Sequence, residues 1–473
     1  MQISEKDIQK LVEKVLLTLN SETNNSSVDP SGVQLGDGVF TTVDEAVLAA
    51  KQAELDMKLV SVEDRRRMIQ AMRDISIQHA EELAVMAVEE TGLGRVQDKI
   101  AKNLLAAKKT PGVEDLISVT YTGDDGLTLV ESAPIGVMGS ITPSTNPAAT
   151  IINNSISLVA GGNVVVYNPH PSAKRVSLRA LQLLNQAIVS VGGPKNVLTA
   201  VASPNLETSK QVMEHKGIRG LVVTGGGLVV KEAMKSGKKV IAAGPGNPPV
   251  VVDETANIEK AARDIVNGAS FDNNVLCTAE KEVFVVEKVA NTLKQEMIKS
   301  GAIELKGFEL EKLLKIILVE KDGKYMPNRD YIGKDAKVLL DAIGKKVDDH
   351  VKLVIAETSA DHPLITTEML MPILPIVKVK CVDSAIKQAV IAEKGNRHTA
   401  IMHSQNITNL TKMAKAIEAT IFVKNGPSYS GLGYNAEGFT TLTIAGPTGE
   451  GLTSAKTFTR QRRCVLVDGF RII

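Results

Sequence analysis

Apolar and polar positions alternate along most of the chain in short blocks that predict strands and helices in turn. From residue 134 to residue 245, five apolar runs typical of buried strands are separated by segments whose apolar residues recur at helical spacing. The predicted strands cover 135–141, 163–167, 197–201, 220–224 and 239–243, and the predicted helices begin near Ala148, Ala173, Ser209 and Leu228. This alternation favours a parallel sheet covered by helices on both faces, of the Rossmann type. The same pattern resumes from Pro248 to about Thr420 and predicts a second α/β domain.

The regions on either side of the first sheet have different patterns. Residues 39–112 are rich in Ala and Glu and predict helices, notably over 43–55 and 61–88. A hairpin is predicted over 121–131, because Gly123-Asp124-Asp125-Gly126 is a turn sequence between two β-rich arms. Near the C terminus, Cys464-Val465-Leu466-Val467 predicts a strand.

The first 19 residues predict an amphipathic helix that stands apart from the rest of the chain. Its apolar residues fall on one face, namely Ile8, Leu11, Val12, Val15, Leu16 and Leu19. Ser4 and Asp7 form a variant of the capping box at its start. Residues 20–36 are too polar to build a core and are typical of a flexible linker. A helix separated in this way either docks on its own subunit or binds another protein.

Composition restricts the classes of function. At 473 residues the chain is too long for one small core, and two large domains are expected. A net charge of +1, 3% aromatic residues and no Trp give no reason to expect binding to nucleic acid or to an anionic membrane. Neither a membrane-spanning apolar run nor a secretory signal peptide is recognised. No metal site is predicted, because no cysteine pair has zinc-ligand spacing and the seven histidines are scattered.

The three cysteines differ in their surroundings. They are far apart and odd in number, which favours a reducing compartment over a disulfide framework. Cys381 and Cys464 lie in apolar, strand-like contexts and are expected to be structural. Cys277 follows Asn273-Asn274-Val275-Leu276 and precedes the predicted strand 282–286. A cysteine on a polar loop at the mouth of a strand is a candidate nucleophile, although a small buried apolar cysteine accounts for this stretch equally well.

Four stretches, in this order and at these separations, resemble the NAD(P)-dependent aldehyde dehydrogenase superfamily: 133–147, 222–227, 269–281 and 368–372. Three stretches resemble its CoA-acylating branch in particular: Thr142-Pro143-Ser144-Thr145-Asn146-Pro147, Val423-Lys424-Asn425-Gly426-Pro427-Ser428 and Pro447-Thr448-Gly449-Glu450-Gly451. That branch includes the propionaldehyde and acetaldehyde dehydrogenases of bacterial microcompartments for propanediol, ethanolamine or fucose utilisation. The resemblance covers nearly the whole chain after about Gly36.

The resemblance implies an aldehyde dehydrogenase-like α/β fold. It places a Rossmann-type NAD-binding domain at 37–245, with an oligomerisation hairpin at 119–133, and a catalytic domain at 246–445. A C-terminal oligomerisation segment follows at 446–473, and the expected assembly is a homodimer or homotetramer. The implied location is cytoplasmic, inside a bacterial microcompartment, with residues 1–19 as an encapsulation helix that binds a shell protein. The basic cluster Arg460-Gln461-Arg462-Arg463 is then a solvated face, part of a subunit interface or close to CoA phosphates.

The resemblance also implies roles for single residues. Cys277 matches the family nucleophile, and Asn146 matches the asparagine whose side-chain amide forms the oxyanion hole with the Cys277 backbone N–H. Glu368 matches the glutamate that binds the nicotinamide ribose. Without the resemblance, Asn146 is a turn residue before Pro147 and Glu368 a surface residue at a helix end.

The expected cofactor is NAD, with coenzyme A as co-substrate. Its binding residues by resemblance are Thr142, Pro143, Asn168, His170, Thr224, Gly225 and Gly226. Thr224, Gly225 and Gly226 match the turn that places the pyrophosphate at a helix N-terminus. Where the family often has a lysine and, three residues on, a glutamate for the adenosine ribose, this chain has Asn168 and Pro171. Because of that departure, physical reasoning from the sequence does not decide between NAD and NADP as the cofactor, although the branch mostly uses NAD.

One absence decides between two reactions. Hydrolytic members carry a glutamate general base in a Glu-Leu-Gly-Gly stretch, and Ala243 stands at the matching position here. Without a base, water attacks a thioester slowly, whereas a thiol such as CoA ionises far more readily than water. The sequence therefore predicts reversible oxidation of a short-chain aldehyde, propionaldehyde or acetaldehyde, with NAD⁺ and CoA to acyl-CoA and NADH through a Cys277 thioester. The alternatives are a hydrolytic aldehyde or semialdehyde dehydrogenase, a non-catalytic scaffold of the same fold, and a redox-sensing thiol protein.

Overall fold

The computed structural model describes residues 34–321 and 323–473. The predicted N-terminal helix at 1–19 and most of the predicted linker at 20–36 lie outside these residues. Every helix in the part of the chain described is too short or too polar to cross a lipid bilayer.

Six parallel strands form the first sheet, and their spatial order is Val39–Phe40, Leu198–Val201, Val164–Pro169, Val137–Thr142, Gly220–Thr224 and Lys239–Ala243. Five of these strands are predicted by the apolar runs, and the two-residue edge strand Val39–Phe40 is not. The chain moves outward from Val137–Thr142 in one direction and then returns to add Gly220–Thr224 on its other side. Ligands of open parallel sheets bind in the crevice at such a switch point, beyond the carboxyl ends of the strands.

Helices surround this sheet, at Val43–Met57, Val62–Gln78, Ala80–Thr91, Val96–Lys109, Pro147–Ala160, Lys174–Ser190, Leu206–Glu214 and Gly227–Met234. The helical segment predicted over 61–88 is present, but as two helices that meet at His79. His79 has the non-helical angles φ −102° and ψ 14°, and it ends one helix and begins the next.

The second sheet has seven parallel strands in the spatial order Ala302–Glu304, Leu353–Glu357, Ile373–Val379, Glu282–Val286, Pro249–Val252, Thr399–His403 and Ile421–Lys424. Its helices are Ile258–Ser270, Glu287–Lys299, Gly307–Ile317, Ala336–Ala342, Pro363–Thr366, Val382–Glu393 and Ile407–Ile417. Two short hairpins complete this region, Leu318–Lys321 with Lys324–Pro327 and Ile444–Ala445 with Gly451–Leu452. The two predicted α/β units are therefore present as two separate parallel sheets.

A third, antiparallel sheet joins distant parts of the chain. Val119–Gly123 and Gly126–Pro134 form the predicted hairpin, and Thr459–Val467 pairs with the second of these strands. The strand predicted around Cys464 is thus confirmed. Cys381 instead lies at the N-cap of the helix Val382–Glu393, and both thiols are free and exposed, so the expectation of two strand-bound structural cysteines is wrong for Cys381.

The C-terminal part of the chain also contributes to the core of the first sheet. Leu442, Ala445, Ala455 and Phe458 pack in the same buried cluster as the strands of that sheet. Asn163 fixes this contact, because its side-chain oxygen accepts from the Ile135 and Gly136 N–H groups while its Nδ2 donates to the Phe458 carbonyl at 2.9 Å. The segment that leads into the strand Val137–Thr142 and the segment around Phe458 are therefore held by one side chain.

Candidate active site

A cavity of about 1260 Å³ lies between the carboxyl ends of strands of the first sheet and loops of the second α/β unit, including those that carry Cys277 and Glu368. All ten residues singled out in the sequence line it: Cys277, Asn146, Thr142, Pro143, Asn168, His170, Thr224, Gly225, Gly226 and Glu368. Thr142 and Thr224 end the two strands at the switch point of the first sheet, so the cavity begins where ligands of such sheets bind.

The loop before Cys277 has an unusual backbone. Asp272, Asn273 and Asn274 are consecutive and have φ values of 48°, 52° and 65°. Short polar side chains tolerate this left-handed region because they can bond to the local backbone. Asn274 does so, since its Nδ2 donates to the carbonyls of Ala269 at 2.8 Å and Glu280 at 2.9 Å. These bonds close the loop that carries Cys277.

Lys281 stabilises the same loop through hydrogen bonds to Asn274. Its buried Nζ donates to the Asn274 carbonyl at 2.9 Å and to Asn274 Oδ1 at 2.6 Å. A buried ammonium is costly unless its donors are satisfied, so these bonds make the loop and the lysine depend on each other.

The Cys277 thiol is partly exposed to the cavity and is not ionised at neutral pH in the resting protein. Removal from water and the Glu368 carboxylate, in that order of size, raise its pKa to about 11 against the opposite effects of the Lys281 and Lys102 ammonium groups. The pKa of Glu368 is itself raised by desolvation, against the effect of Lys281 and a hydrogen bond from the Gly246 N–H. Proton loss from Cys277 is therefore part of any reaction in which its sulfur attacks.

Replacing Glu368 by glutamine is expected to speed alkylation of Cys277. Glu368→Gln removes a negative charge that raises the pKa of the thiol, so the thiolate fraction at pH 8 grows. Inactivation by iodoacetamide should become faster by about twofold to fivefold, and in both proteins it should accelerate as the pH rises toward 11. Glu63→Gln, on an exposed helix face, is the matched control. An unchanged or slower rate in Glu368→Gln contradicts the electrostatic coupling.

Asn146 begins the helix Pro147–Ala160 and lies at the wall of the cavity. Its side chain makes no capping bond, and its Oδ1 accepts from the buried Lys102 Nζ. Because an ammonium can only donate, this contact identifies the oxygen side of the amide. The Asn146 NH₂ group remains as a donor, with Thr145 Oγ1 at 3.3 Å as its partner in the part of the chain described.

Ala243 ends the strand Lys239–Ala243 and lines the cavity. Its methyl group supplies neither a base nor a hydrogen bond. The carboxylates among the described lining residues are Glu214, Glu232 and Glu368. Glu214 and Glu232 belong to the helices beyond the first sheet, which leaves Glu368 as the carboxylate that acts electrostatically on Cys277.

The glycine turn after Thr224 leaves space for a ligand. Gly226 caps the helix Gly227–Met234 without a side-chain bond, and a Cβ built on Gly226 or Gly227 would meet no atom within 4 Å. Backbone N–H groups at an open helix N-terminus attract anions such as phosphates. Leu206 and Leu228, which are 84% and 81% exposed, line the same end of the cavity and offer apolar surface.

Asn168 and His170 are placed beside this region but differ in their freedom to bind. The Asn168 Nδ2 donates to Ser209 Oγ at 2.7 Å, and its Oδ1 accepts from Thr208 Oγ1 at 2.7 Å. Its amide is thus used to hold the helix Leu206–Glu214. Partial burial lowers the pKa of His170, and its Nδ1 accepts from the Ser172 N–H at 3.2 Å.

The sequence did not single out His398 or Gly246. A Cβ on Gly246 would lie 2.6 Å from the Cys277 carbonyl oxygen and 3.1 Å from His398 Cγ, so only a glycine fits between them. His398 is buried, its pKa is lowered to about 4, chiefly by burial, and its Nε2 has no hydrogen-bond partner among residues 34–321 and 323–473. A neutral imidazole with a free nitrogen therefore lies beside the segment that holds Cys277, and no local sequence pattern indicates it.

Comparison with known proteins gives a consistent result. The model of the aldehyde dehydrogenase family matches residues 32–438. The acetaldehyde dehydrogenase (acetylating) EutE of Salmonella typhimurium is 52% identical over 474 residues, which is 100% of both chains.

Two solved structures are similar over most of the chain. One is the Rhodopseudomonas palustris propionaldehyde dehydrogenase with bound CoA and an acylated cysteine, at 51% identity, a TM-score of 0.90, and coverage of 92% of this chain and 99% of that one. The other is the propionaldehyde dehydrogenase of the Clostridium phytofermentans fucose utilisation bacterial microcompartment, at 50% identity, a TM-score of 0.91, and coverage of 93% and 100%. The chain belongs to the aldehyde dehydrogenase family.

Proposed function

We propose that this chain is a CoA-acylating aldehyde dehydrogenase, which oxidises acetaldehyde or propionaldehyde with NAD⁺ and CoA to acyl-CoA and NADH. The observation that carries the proposal is one cavity that holds a cysteine, an amide donor and a half-buried glutamate but has Ala243 at the position that matches the base of hydrolytic enzymes. Relatives about half identical in sequence are acetylating or propionaldehyde dehydrogenases, and one was solved with CoA and an acylated cysteine.

Cys277 is the proposed nucleophile. Its sulfur loses a proton and attacks the aldehyde carbonyl, and negative charge develops on the carbonyl oxygen. The Asn146 side-chain amide and the Cys277 backbone N–H donate hydrogen bonds to that oxygen. Donors preorganised in this way stabilise the transition state because they need not reorient as charge forms. Loss of hydride from the former aldehyde carbon then leaves an acyl group on Cys277 as a thioester.

The residues around the glycine turn fit a dinucleotide. NAD⁺ supplies the hydride acceptor when it is bound. We place its pyrophosphate at Thr224, Gly225 and Gly226, where the helix N-terminus is open, and its nicotinamide ribose at Glu368. Thr142 and Pro143 line the wall next to Asn146, and Asn168 and His170 line the adenosine end. Leu206 and Leu228 offer the apolar surface that an adenine ring requires.

Deacylation is the step that Ala243 decides. The thiol of CoA forms a new thioester as the Cys277 sulfur leaves, so the exchange is close to balanced and reversible. Both CoA and NAD⁺ contain adenosine diphosphate, and we propose that they use overlapping parts of the cavity at different stages.

The remaining proposals concern assembly. The two large sheets are the proposed NAD-binding and catalytic domains, and the three-stranded sheet is the proposed oligomerisation element of a homodimer or homotetramer. Exposed apolar residues on that sheet support the role, namely Val119, Tyr121, Val465, Leu466 and Val467. We further propose that residues 1–19 bind a shell protein and place the enzyme inside a bacterial microcompartment, as the location of the Clostridium relative supports.

Turnover is expected to depend on CoA. With aldehyde and NAD⁺ alone, NADH should rise by at most one equivalent per active site and then stop, because the thioester has no base-activated water. Addition of CoA should start steady NADH production, and a comparison of acetaldehyde, propionaldehyde and butyraldehyde ranks the substrates. Rapid release of free acid without CoA would contradict the role assigned to Ala243 and identify a hydrolytic dehydrogenase.

A further inference from the structure

Two buried lysines lie next to the proposed oxyanion donor. Lys99 and Lys102 are one turn apart on the helix Val96–Lys109, and their side chains are 3% and 5% exposed. Burying an ammonium is unfavourable unless its donors are satisfied. The hydrogen-bond partners of these two lysines therefore indicate why the two ammonium groups are buried here.

Both lysines join the same two segments. Lys99 Nζ donates to the Thr145 carbonyl at 3.1 Å and to Asp272 Oδ2 at 3.0 Å. Lys102 Nζ donates to Asn146 Oδ1 and to the same Asp272 oxygen. Thr145 and Asn146 precede the helix Pro147–Ala160, and Asp272 begins the left-handed loop that leads to Cys277.

Asp272 is fixed from every side. Its Oδ1 accepts from the Arg95 N–H at 2.8 Å, and its own N–H donates to Asp98 Oδ2 at 2.9 Å. A Cβ on Gly94 would lie 1.9 Å from Asp272 Oδ1, so the chain must have glycine at that point. The carboxylate thus forms a rigid anchor for both lysines.

We propose that Lys99 and Lys102 are positioning residues that hold the Asn146 amide in its donating orientation and fix it relative to the Cys277 loop through Asp272. The inference rests on the roles proposed for Asn146 and Cys277. An asparagine amide turned by 180° would present its oxygen to the developing oxyanion and repel it. Lys102 excludes that orientation, because an ammonium has no acceptor and attracts only the amide oxygen.

An ion pair with a purely structural role would not need a second lysine in contact with the Asn146 amide oxygen. Asp272 and Lys99 alone would neutralise each other, and Lys102 could then be any apolar residue. The contact between Lys102 and Asn146 Oδ1 is the feature that links the pair to chemistry.

A double-mutant cycle tests the inference. Lys102→Met, Asn146→Ala and the double variant are compared by the rate of the NADH burst in stopped flow, which reports acylation. Lys102→Met should slow the burst by about tenfold to a hundredfold, as expected for a misplaced catalytic group. In the Asn146→Ala background, the same change should cost no more than about threefold, because the group it positions is gone. Equal losses in both backgrounds overturn the inference and leave the role of Asn146 intact. A full-rate Asn146→Ala overturns the role of Asn146 and the inference with it.

Two further variants separate positioning from folding. Lys102→Arg retains a donor without an acceptor and should recover most of the burst rate. Lys102→Gln keeps a donor for Asp272, so it serves in the cycle if Lys102→Met does not fold, and it should remain slow because its amide tolerates either orientation of Asn146. Equal rates for the arginine and glutamine variants overturn the inference. Lys294→Met, which removes another buried lysine that pairs with Glu304 and Glu357, should lower the melting temperature and leave the burst rate within about twofold.

Discussion

Cys277→Ala is expected to lower CoA-dependent NADH formation by about 10⁴-fold or more, because no other described side chain in the cavity offers a thiol. Steady-state assays with propionaldehyde, NAD⁺ and CoA measure the loss. Cys381→Ala and Cys464→Ala are matched controls, since both thiols are exposed and neither lines the cavity. Both should retain full activity.

The same variant should still bind the dinucleotide. The glycine turn and Glu368 do not depend on the sulfur, so NAD⁺ titration of Cys277→Ala should give an affinity within about threefold of the unmodified protein. Residual turnover above one per cent, with binding intact, would show that Cys277 is not the nucleophile and would favour the reading of a small buried cysteine.

The second large effect concerns Asn146. Asn146→Ala should slow acylation by about 10²–10³-fold, as is typical for loss of one oxyanion-hole donor. The aldehyde KM should change far less than kcat, because the donor acts on charge that develops only in the transition state. Stopped-flow NADH bursts at saturating aldehyde measure the step directly.

Asn406→Ala is the control for the helix-capping role of an asparagine. Asn406 accepts from the Thr408 and Asn409 N–H groups at the start of Ile407–Ile417 and does not line the cavity. Its loss should lower the free energy of unfolding by about 1 kcal/mol and leave the burst rate unchanged. If Asn146→Ala loses stability but keeps its burst rate in the same way, the role of Asn146 is structural and not that of a catalytic donor.

The apolar pattern predicted the first sheet well because its strands are buried on both faces. Gly220–Thr224 and Lys239–Ala243 have the predicted bounds. The break at His79 was not predicted, since the residues on either side of it continue the helical spacing. Hydrophobic periodicity locates strands and helices, but a single residue with non-helical angles does not change that periodicity and so cannot be recognised from it.

In the candidate site, some residues were assigned from the sequence and others were recognised only in the structure. Cys277, Asn146 and Glu368 were assigned by resemblance, and the structure brings them to one cavity. Lys99 and Lys102 could not be predicted, because two lysines on an amphipathic helix are usually solvated. Their burial depends on Asp272, which is 170 residues from Lys102 in sequence. Such a contact exists only after the chain has folded.

The three-stranded sheet has a consequence for the order in which the chain folds. The strand Gly126–Pro134 pairs on one side with its hairpin neighbour and on the other with Thr459–Val467, which is made much later. During synthesis, one edge of this strand therefore stays open until residues 459–467 have left the ribosome. Open edges recruit other strands, so nascent chains that stall before residue 459 carry a ready site for aggregation, and a truncation that removes Thr459–Val467 exposes the same edge in the finished protein.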